Sequence, residues 1–554
     1  MGCGASHSNA SLSHDEARTP VNDSGAAPLT VTEEAMEKPK TGEEGVFELP
    51  QSDFVDGRLG VTEAKAIEEL RSNLAADEHY CDEDFPADNS SLFFSHRVDG
   101  DIEWKRPYEL HDDPQVFVDG VGRKDVVQGA LGDCWFLSAC AAVARTPKLI
   151  QRVVPPDQVL VGEGYTGLVV CRFWRFGEWV LVCVDDRLPT KEGHLIFASS
   201  SSPQEFWVAL VEKAYAKLHG SYEALEGGQS MDALVDLTGG LAERYDMEDT
   251  PDKDKLYKLL LKSSKNGAFI TASMKKNDPR QFVMLHDGDW RLAYKTNDHG
   301  LVEGHAYTVS GVATISHEHL GLVRLVRVRN PWASGAEWNG DWSDSDENWD
   351  GVPVSQLNKL GRAQLEDGEF WMSFKDFCGH FEEVSICTIG PDFDNDGTID
   401  HVGQVQAIKG EWAEGSSAGG SRNDFDKFAT NPQYLLTLTD PDMEEDGESK
   451  CSVLVAMMQE HRRSNKQQAV KELQIGFVVY KTSHPERRLS SDYFQHNYEE
   501  GNSGVYINFR EVLCRMELEP GEYVIIPATF LPDCPGYFMV RVYSPNSFQL
   551  KKIP

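Results

Sequence analysis

The cysteine with the most distinctive surroundings is Cys134, which lies in the run Gln128–Leu137, Q-G-A-L-G-D-C-W-F-L. The glycines predict a turn, and Cys134 then opens an apolar run that continues to Ala144 and predicts a buried helix. The positive end of a helix dipole favours the thiolate form of a cysteine in the first turn. The side-chain amide of Gln128 can stabilise an oxyanion beside the backbone N–H of Cys134. This pattern predicts a nucleophilic thiol.

A nucleophilic thiol needs a base, and His305 in the segment E-G-H-A-Y-T-V is the candidate. The residues after it predict a strand, which would hold the imidazole on a rigid element. Asn330 follows a second predicted strand in R-V-R-N-P-W, where its amide oxygen can accept the imidazole N–H and orient the ring. Trp332 can shield that hydrogen bond from water. The order cysteine, histidine, asparagine is the order found in papain-like proteases.

Longer runs around these residues resemble the catalytic core of the calpain family of cysteine proteases. They are Q-G-A-L-G-D-C-W-F-L, E-G-H-A-Y-T-V, R-N-P-W and E-D-G-E-F-W-M-S-F. Farther along the chain, A-G-G, N-P-Q and P-G-E-Y-V-I-I-P resemble the β-sandwich domain of calpains. The resemblance runs from about Phe85 to Pro554. It implies an α+β fold, with a papain-like two-lobed cysteine protease core followed by an antiparallel β-sandwich domain.

The resemblance implies a calcium-dependent intracellular cysteine endopeptidase that performs limited proteolysis of protein substrates. In this interpretation the Cys134 thiolate attacks the peptide carbonyl, and His305 takes up the thiol proton and later donates it to the leaving amine. Asn330 orients His305, and Gln128 with backbone N–H groups holds the oxyanion. An acyl-enzyme forms and is then hydrolysed by water.

The resemblance also implies two calcium sites within the protease core, built from the oxygen ligands that calcium prefers. The first set comprises the carbonyl oxygens of Val118 and Gly120 and the carboxylates of Asp125 and Glu212. The second set comprises the carboxylates of Glu337, Asp344, Asp367 and Glu369 and the carbonyl oxygen of Leu365. We expect the two lobes to be misaligned without calcium, and an error of about 1 Å costs about a hundredfold in rate. Trp332 is expected to be the gate that leaves the cleft on activation.

Composition and periodicity divide the chain into successive parts. We predict an acidic disordered tail (1–60), a short helix and linker (61–84), protease lobe 1 with the cysteine (85–237), lobe 2 with the histidine and asparagine (238–392), a linker (393–422) and the β-sandwich (423–554). The run D-F-D-N-D-G begins like an EF-hand calcium loop, but Gly403 stands at position twelve where Glu is needed, so we expect a turn.

Conventional calpains carry a penta-EF-hand domain after the sandwich. This sequence lacks that domain, so we expect no small EF-hand subunit as partner.

The chain begins M-G-C-G-A-S, which matches the N-myristoylation pattern with Gly2 as acceptor and Ser6 at the favoured position. Cys3 lies beside Gly2, where a palmitoyl chain is commonly added. A single myristoyl chain binds membranes only marginally, and an acidic tail is repelled by an anionic leaflet, so the second signal has to be Cys3. We expect a cytoplasmic protein with a membrane-associated fraction. The alternative is an unmodified, flexible N-terminus.

The composition narrows the class of protein. The chain has 554 residues, of which 90 are acidic and 53 are basic, giving a net charge of −37. Nucleic acid is excluded as the main partner because phosphates require a basic surface. No apolar stretch approaches the ~20 residues of a membrane span, and no secretion signal is evident. The 11 cysteines are scattered without a C-x-x-C pair, which is typical of reduced thiols.

Two other functions are compatible with parts of the sequence. A transglutaminase is also a calcium-dependent enzyme with a cysteine and a histidine, but it normally uses an aspartate as third member, so Asn330 and the G-D-C-W run argue against it. A catalytically inactive, membrane-associated scaffold would account for the sandwich and the N-terminus. Inactive relatives usually lose the cysteine, the histidine or the asparagine, and all three are present here.

Overall fold

The structure is a computed structural model that describes residues 46–49, 59–72, 74–75, 78–95, 102–274, 281–284, 290–293, 296–332, 337–362, 368–389, 403–441, 449–460 and 472–554. Four residues with predicted roles, Gly2, Cys3, Leu365 and Asp367, lie outside these ranges. The EF-hand-like run and most of the predicted tail also lie outside the described residues.

The helices of the described residues are α1 (Val61–Ser72), α2 (Asn89–Leu92), α3 (Pro107–Leu110), α4 (Cys134–Val143), α5 (Pro147–Val153), α6 (Trp207–His219), α7 (Ser230–Thr238), α8 (Lys253–Lys265), α9 (Val354–Leu360), α10 (Phe374–His380), α11 (Phe425–Phe428) and α12 (Ser491–His496). The apolar run after the glycine turn forms α4, and all of its residues are buried. α6 and α7 each end at a glycine with positive φ, Gly220 and Gly239, because other residues rarely adopt that conformation.

The first part of the fold packs helices on short antiparallel sheets. Its strands are β1 (Val46–Leu49), β2 (Glu103–Lys105), β3 (Val126–Val127), β4 (Leu168–Arg175), β5 (Glu178–Asp185), β6 (Leu188–Lys191), β7 (His194–Leu195) and β8 (Ser199–Ser200). They form sheets in the orders β1-β5-β4, β2-β6-β7 and β3-β8. α4, α6 and α7 pack with β4 and β5 around one apolar core, so the helix that carries the cysteine lies inside the protein.

The strand β1 corrects the prediction of a tail that is disordered through residue 60. Val46–Leu49 pair antiparallel with Trp179–Val182 of β5. β4 covers only one edge of β5, and backbone groups on the other edge need hydrogen-bond partners. The run V-F-E-L has residues that favour strands, and the polar composition of the segment as a whole hides it.

The second part is built on one antiparallel sheet that places the predicted base and its partner at the same edge. Its strands are β9 (Leu241–Asp246), β10 (Phe269–Ser273), β11 (Gln281–Met284), β12 (Trp290–Ala293), β13 (Ala306–His317), β14 (Gly321–Arg329), β15 (Glu369–Ser373) and β16 (Glu383–Thr388). Six of them form a sheet in the order β15-β14-β13-β10-β16-β9, and β11 pairs with β12. His305 directly precedes β13 and Asn330 directly follows β14. Because Thr308 of β13 pairs with Arg329 of β14, the two positions lie together.

The third part is an antiparallel β-sandwich, as predicted, but it begins earlier than the predicted boundary at residue 423. Its first strand, Gln404–Trp412, lies in the segment predicted to be a linker (393–422) and pairs with a strand near the end of the chain, which the local sequence cannot show. Its strands are β17 (Gln404–Trp412), β18 (Tyr434–Leu438), β19 (Cys451–Gln459), β20 (Ile475–Lys481), β21 (Gly501–Asn502), β22 (Glu511–Leu518), β23 (Gly521–Thr529), β24 (Gly536–Ser544) and β25 (Phe548–Lys552). They form two sheets, β17-β24-β19-β22 and β21-β20-β23-β18-β25. Apolar side chains from both sheets share one core, as expected of a sandwich. The described residues combine helices with antiparallel sheets, which agrees with the predicted α+β class.

The first two parts meet where α4 packs against β13. The hydroxyl of Thr308 on β13 donates a hydrogen bond of 2.7 Å to the backbone carbonyl of Ser138 on α4, and Thr308 is fully buried. The helix of Cys134 is thereby tied to the strand that follows His305. Among the described residues, no helix combines the length and the apolar character needed to cross a membrane.

Candidate active site

Cys134 is held at the first residue of a buried helix. Its side chain belongs to the core of the first part and is 8% exposed. The next residue, Trp135, donates its indole N–H to the carbonyl of Leu225 at 2.7 Å, and Phe136 stacks on Tyr215 with ring centroids 4.2 Å apart. These contacts fix the start of α4, so the sulfur occupies a defined position.

His305 and Asn330 form the hydrogen bond that the sequence predicts. The imidazole Nε2 lies 2.9 Å from the amide Oδ1 of Asn330, and both residues are fully buried. The same Oδ1 accepts the backbone N–H of Trp332 at 3.0 Å. A backbone N–H can only donate, so this contact fixes the amide with its oxygen toward His305. Nε2 must then carry the proton, and Nδ1 is the basic nitrogen of the neutral ring.

The surroundings of His305 keep its imidazole neutral. Burial lowers the pKa of His305 to about 4, and the hydrogen bond to Asn330 offsets only part of this effect. The ring lies between two aromatic side chains, with centroids 5.1 Å from that of Tyr307 and 4.8 Å from that of Trp332. A neutral imidazole on a rigid strand is suited to accept a proton from a thiol.

The structure brings the elements of Cys134 and His305 into contact. α4 packs against β13, whose second residue is Tyr307. Burial raises the pKa of Tyr307, and the charge of the neighbouring Cys134 adds to this rise. The thiol therefore lies close to Tyr307, which is two residues from His305 in sequence. A cysteine at a helix start and a histidine held by an asparagine, carried on elements that pack together, are the groups that nucleophilic acyl transfer requires.

Trp332 lies between His305 and the loop before Cys134. Its indole N–H donates to Oε1 of Gln128 at 2.9 Å, while the backbone N–H of Gln128 donates to the carbonyl of Pro331 at 3.3 Å. The side-chain Nε2 of Gln128 donates to the carbonyl of Leu131 at 2.8 Å. These hydrogen bonds join the two predicted halves of the site through Trp332. The predicted role of Gln128 in holding an oxyanion stays a prediction.

The first set of predicted calcium ligands needs one correction, which concerns Glu212. Ala198 donates its backbone N–H to both carboxylate oxygens of Glu212 at 3.1 Å, and the pKa of Glu212 is raised by burial and by Asp133. These contacts hold Glu212 beside the start of α4, whereas the loop of Val118 lies next to a different acid. Sequence position alone cannot show which way a helix residue faces.

The carboxylate beside that loop is Glu205, which the sequence analysis missed. Its Oε1 accepts the backbone N–H of Val118 at 2.8 Å. Burial and the charge of Asp125 together raise the pKa of Glu205 to about 7, although the hydrogen bond from Val118 opposes the rise. Burial also raises the pKa of Asp125. The buried carboxylate of Glu205 and the half-buried carboxylate of Asp125, with a loop that turns at Gly120 (φ 97°), fit a divalent cation that would neutralise them. The signal available in the sequence was the position of Glu205 directly before two aromatic residues, Phe206 and Trp207, at the start of α6.

The second set of predicted ligands is described only in part. Oε1 of Glu337 accepts a hydrogen bond of 2.7 Å from the backbone N–H of Gly368. Gly368 directly precedes Glu369, so the carboxylate of Glu337 lies beside the start of β15. Glu369 pairs with Arg327, with 2.6 Å between the nearest nitrogen and oxygen. The carbonyl of Asp344 accepts a hydrogen bond from Arg362 at 2.7 Å. Among the described residues, no three His, Cys, Asp or Glu side chains stand together as a metal-binding group.

Two segments of the chain match families of known proteins. Residues 80–388 match the family described as calpain family cysteine protease, and residues 408–543 match calpain large subunit, domain III. The chain is 43% identical to Calpain-A of Drosophila melanogaster over 484 residues, which cover 86% of the chain and 56% of that protein. It is 41% identical to Calpain-9 of Homo sapiens over 490 residues, covering 88% of the chain and 69% of that protein.

Calpain-B of Drosophila melanogaster is similar over 482 residues at 41% identity, covering 85% of the chain and 50% of that protein. The chain thus spans about half the length of the two Drosophila proteins. The protease match is followed along the chain by the domain III match, which is the order expected of a calpain. This protein is therefore a cysteine protease by class, and it belongs to the calpain family. The match confirms the resemblance predicted from the runs around Cys134, His305 and Asn330.

The neutral state of buried His305 predicts how stability depends on pH. The unfolded chain binds a proton at the ordinary pKa of 6.5, whereas the folded protein resists it until about pH 4. The contribution of His305 to the free energy of unfolding is therefore complete above pH 6.5 and falls as the pH drops toward 4. Relative to His305→Asn, the wild type should lose roughly 2 kcal/mol between pH 7.5 and pH 5 in urea unfolding. A matched control is His319→Asn on the exposed end of the same hairpin, and parallel profiles for wild type and His305→Asn would contradict the expectation.

Proposed function

We propose that the protein is a calcium-activated cysteine endopeptidase that uses Cys134, His305 and Asn330 as its catalytic triad. The observation that carries this proposal is the buried hydrogen bond of 2.9 Å between His305 and Asn330, at the edge of the sheet against which the Cys134 helix packs. Membership of the calpain family supports the class of reaction. Protein substrates, cleaved at few positions, are part of the same proposal.

The chemistry follows from the hydrogen-bond pattern. Nε2 of His305 donates to Asn330, so Nδ1 receives the proton of the Cys134 thiol. The sulfur attacks the peptide carbonyl carbon, and Nδ1–H later protonates the leaving amine as the C–N bond breaks. Water then attacks the thioester, with His305 again accepting a proton, and the carboxylate product leaves. The backbone N–H of Cys134 and the amide of Gln128 hold the oxyanion in both halves of the reaction.

Trp332 is the proposed gate between two papain-like lobes. In the arrangement described here its indole contacts His305 and is hydrogen-bonded to Gln128, so it fills the space between the base and the oxyanion group. A peptide can reach Cys134 only after Trp332 has left this position. The Gln128 Oε1 that now accepts the indole N–H then loses this bond, and the side chain can turn toward the substrate.

Calcium would be held by the carbonyls of Val118 and Gly120 and the carboxylates of Asp125 and Glu205, and by Glu337, Asp344, Leu365, Asp367 and Glu369 in the second set. When bound, it would neutralise carboxylates that otherwise repel one another across each loop. In the first set, Val118, Gly120 and Asp125 lie in the chain segment before Cys134, and Glu205 lies after it. The second set lies in segments that follow Asn330. Shifting these segments changes the relative position of thiol and imidazole, on which the rate depends.

The peptidase proposal predicts that hydrolysis of a fluorogenic peptide by the purified chain rises from background to a plateau as calcium is added. Cys134→Ser should lower the plateau rate by at least about a thousandfold, because the nucleophile is lost. Cys81→Ser, at an exposed cysteine, is the control and should keep the rate of the wild type. An inactive wild type would favour the scaffold, and hydrolysis that ignores calcium would refute the activation.

The correction from Glu212 to Glu205 makes a separate prediction. Glu205→Gln should raise the calcium concentration for half-maximal activity at least about tenfold, since a charged ligand is lost. Glu212→Gln keeps the shape of the side chain and should change that concentration by less than about twofold. Calorimetric titration of calcium gives the same comparison without turnover. The reverse ranking of the two variants would restore Glu212 to the site.

We also propose that Gly2 is myristoylated and Cys3 palmitoylated, which gives the cytoplasmic protein a membrane-associated fraction. Gly2→Ala and Cys3→Ser should each move most of the protein into the soluble fraction of a cell lysate, because one chain alone anchors only marginally. Ser8→Ala is the matched control within the same tail. If neither Gly2→Ala nor Cys3→Ser releases the protein, the lipid anchor is wrong.

A further inference from the structure

Three arginines of the β-sandwich reach into the protease core at one place, the segment of α7 and β9. Arg510, directly before β22, contacts α7; Arg515 on β22 contacts Glu243 on β9. Arg541 on β24 donates to the carbonyl of Gly239 at 3.0 Å, between α7 and β9. The sandwich is therefore joined to the protease core by charged contacts as well as apolar packing.

Of the arginines that pair with acids of the protease core, Arg510 is more buried than Arg515. Its side chain is 3% exposed, and its Nη1 donates to both carboxylate oxygens of Asp236, at 2.7 and 2.9 Å. Nη2 donates to the backbone carbonyl of Asp232 at 2.7 Å, and Nε lies 3.3 Å from the carboxylate of Asp232. One guanidinium of the sandwich thus compensates two acids one turn apart on α7. Removing it would leave two like charges in a buried setting.

Two short chains of contacts lead from this cluster to the helix of Cys134. In the first, Oδ2 of Asp236 accepts a hydrogen bond of 2.8 Å from the hydroxyl of Tyr215, and the Tyr215 ring stacks on Phe136 with an interplanar angle of 6°. Phe136 is the third residue of α4. In the second, α7 packs along α4, and the hydroxyls of Ser230 and Ser138 lie 3.2 Å apart. A shift of α7 or Tyr215 therefore reaches α4 within two contacts.

We propose that Arg510 is a positioning residue for the reaction, and that through Asp236 and Tyr215 it holds the helix that begins at Cys134. The sandwich then contributes to positioning the nucleophile, because its Arg510 supplies the positive charge that neutralises Asp232 and Asp236 of α7. Arg510 touches neither substrate nor reacting atoms. This inference rests on the proposed peptidase function, since it concerns the placement of the nucleophile.

The test compares two arginines of the same interface in the full chain. Arg510→Met should lower kcat for a fluorogenic peptide at saturating calcium by roughly ten- to a hundredfold, with KM changed less than about twofold, because the nucleophile is displaced while substrate contacts remain. It should lower the rate at which iodoacetamide alkylates Cys134, followed by peptide mass spectrometry, by a similar factor. The control Arg515→Met removes a half-buried interface charge whose partner, Glu243, lies on β9 and accepts a further hydrogen bond from Tyr245 of the same strand. It should keep both rates within about twofold of the wild type.

Equal losses in Arg510→Met and Arg515→Met, or none in either, would overturn the inference, because they would show only a general effect of the interface. Should Arg510→Met fail to fold, Tyr215→Phe decides, since it keeps the ring on Phe136 and removes only the hydroxyl that binds Asp236. A lower kcat with unchanged KM in Tyr215→Phe supports the route, and an unchanged kcat refutes it. A wild type without peptidase activity would instead refute the proposed function, which is a distinguishable result.

Discussion

The contact on which the account depends is the packing of α4 against β13, fixed by the buried hydrogen bond from Thr308 to the carbonyl of Ser138. Cys134 is the first residue of α4, and His305 directly precedes β13. Neither can move alone, because α4 is buried on all sides and β13 is an inner strand of its sheet. Any change in how the two elements meet changes the distance between thiol and imidazole, and such changes are costly in rate.

Several groups around this contact are either uncharged or paired with an opposite charge. His305 is neutral because it is buried, and its orientation is set by an amide that cannot ionise. The acids of α7 are compensated by an arginine from the sandwich. Trp332 occupies the space beside the imidazole with a hydrogen-bonded indole. In the described arrangement, ring packing and hydrogen bonds thus hold Trp332 against His305 and Gln128.

Local patterns explain what the sequence could predict. The apolar run after Cys134 dictates a buried helix, and the strands beside His305 and Asn330 place both residues at one sheet edge once they pair as neighbours. Contacts between distant segments could not be predicted in this way. Glu205 and Glu212 are close in sequence, and only the position of Gln115–Val118 alongside Glu205–Trp207 shows which acid meets the loop. The pairing of β1 with β5 and the reach of Arg510 to α7 likewise depend on the tertiary fold.

The central claim is that His305 acts on Cys134, and the pH dependence of Cys134 alkylation at saturating calcium tests it most directly. We predict that the wild-type protein is alkylated rapidly even near pH 6. Once Trp332 has left and the imidazole is no longer buried, His305 takes up the thiol proton, and the resulting imidazolium stabilises the thiolate. In His305→Ala the profile should shift to higher pH, with a rate at least about tenfold lower near pH 6. Superimposable profiles for the wild type and His305→Ala would contradict the account, because the histidine would then have no influence on the thiol.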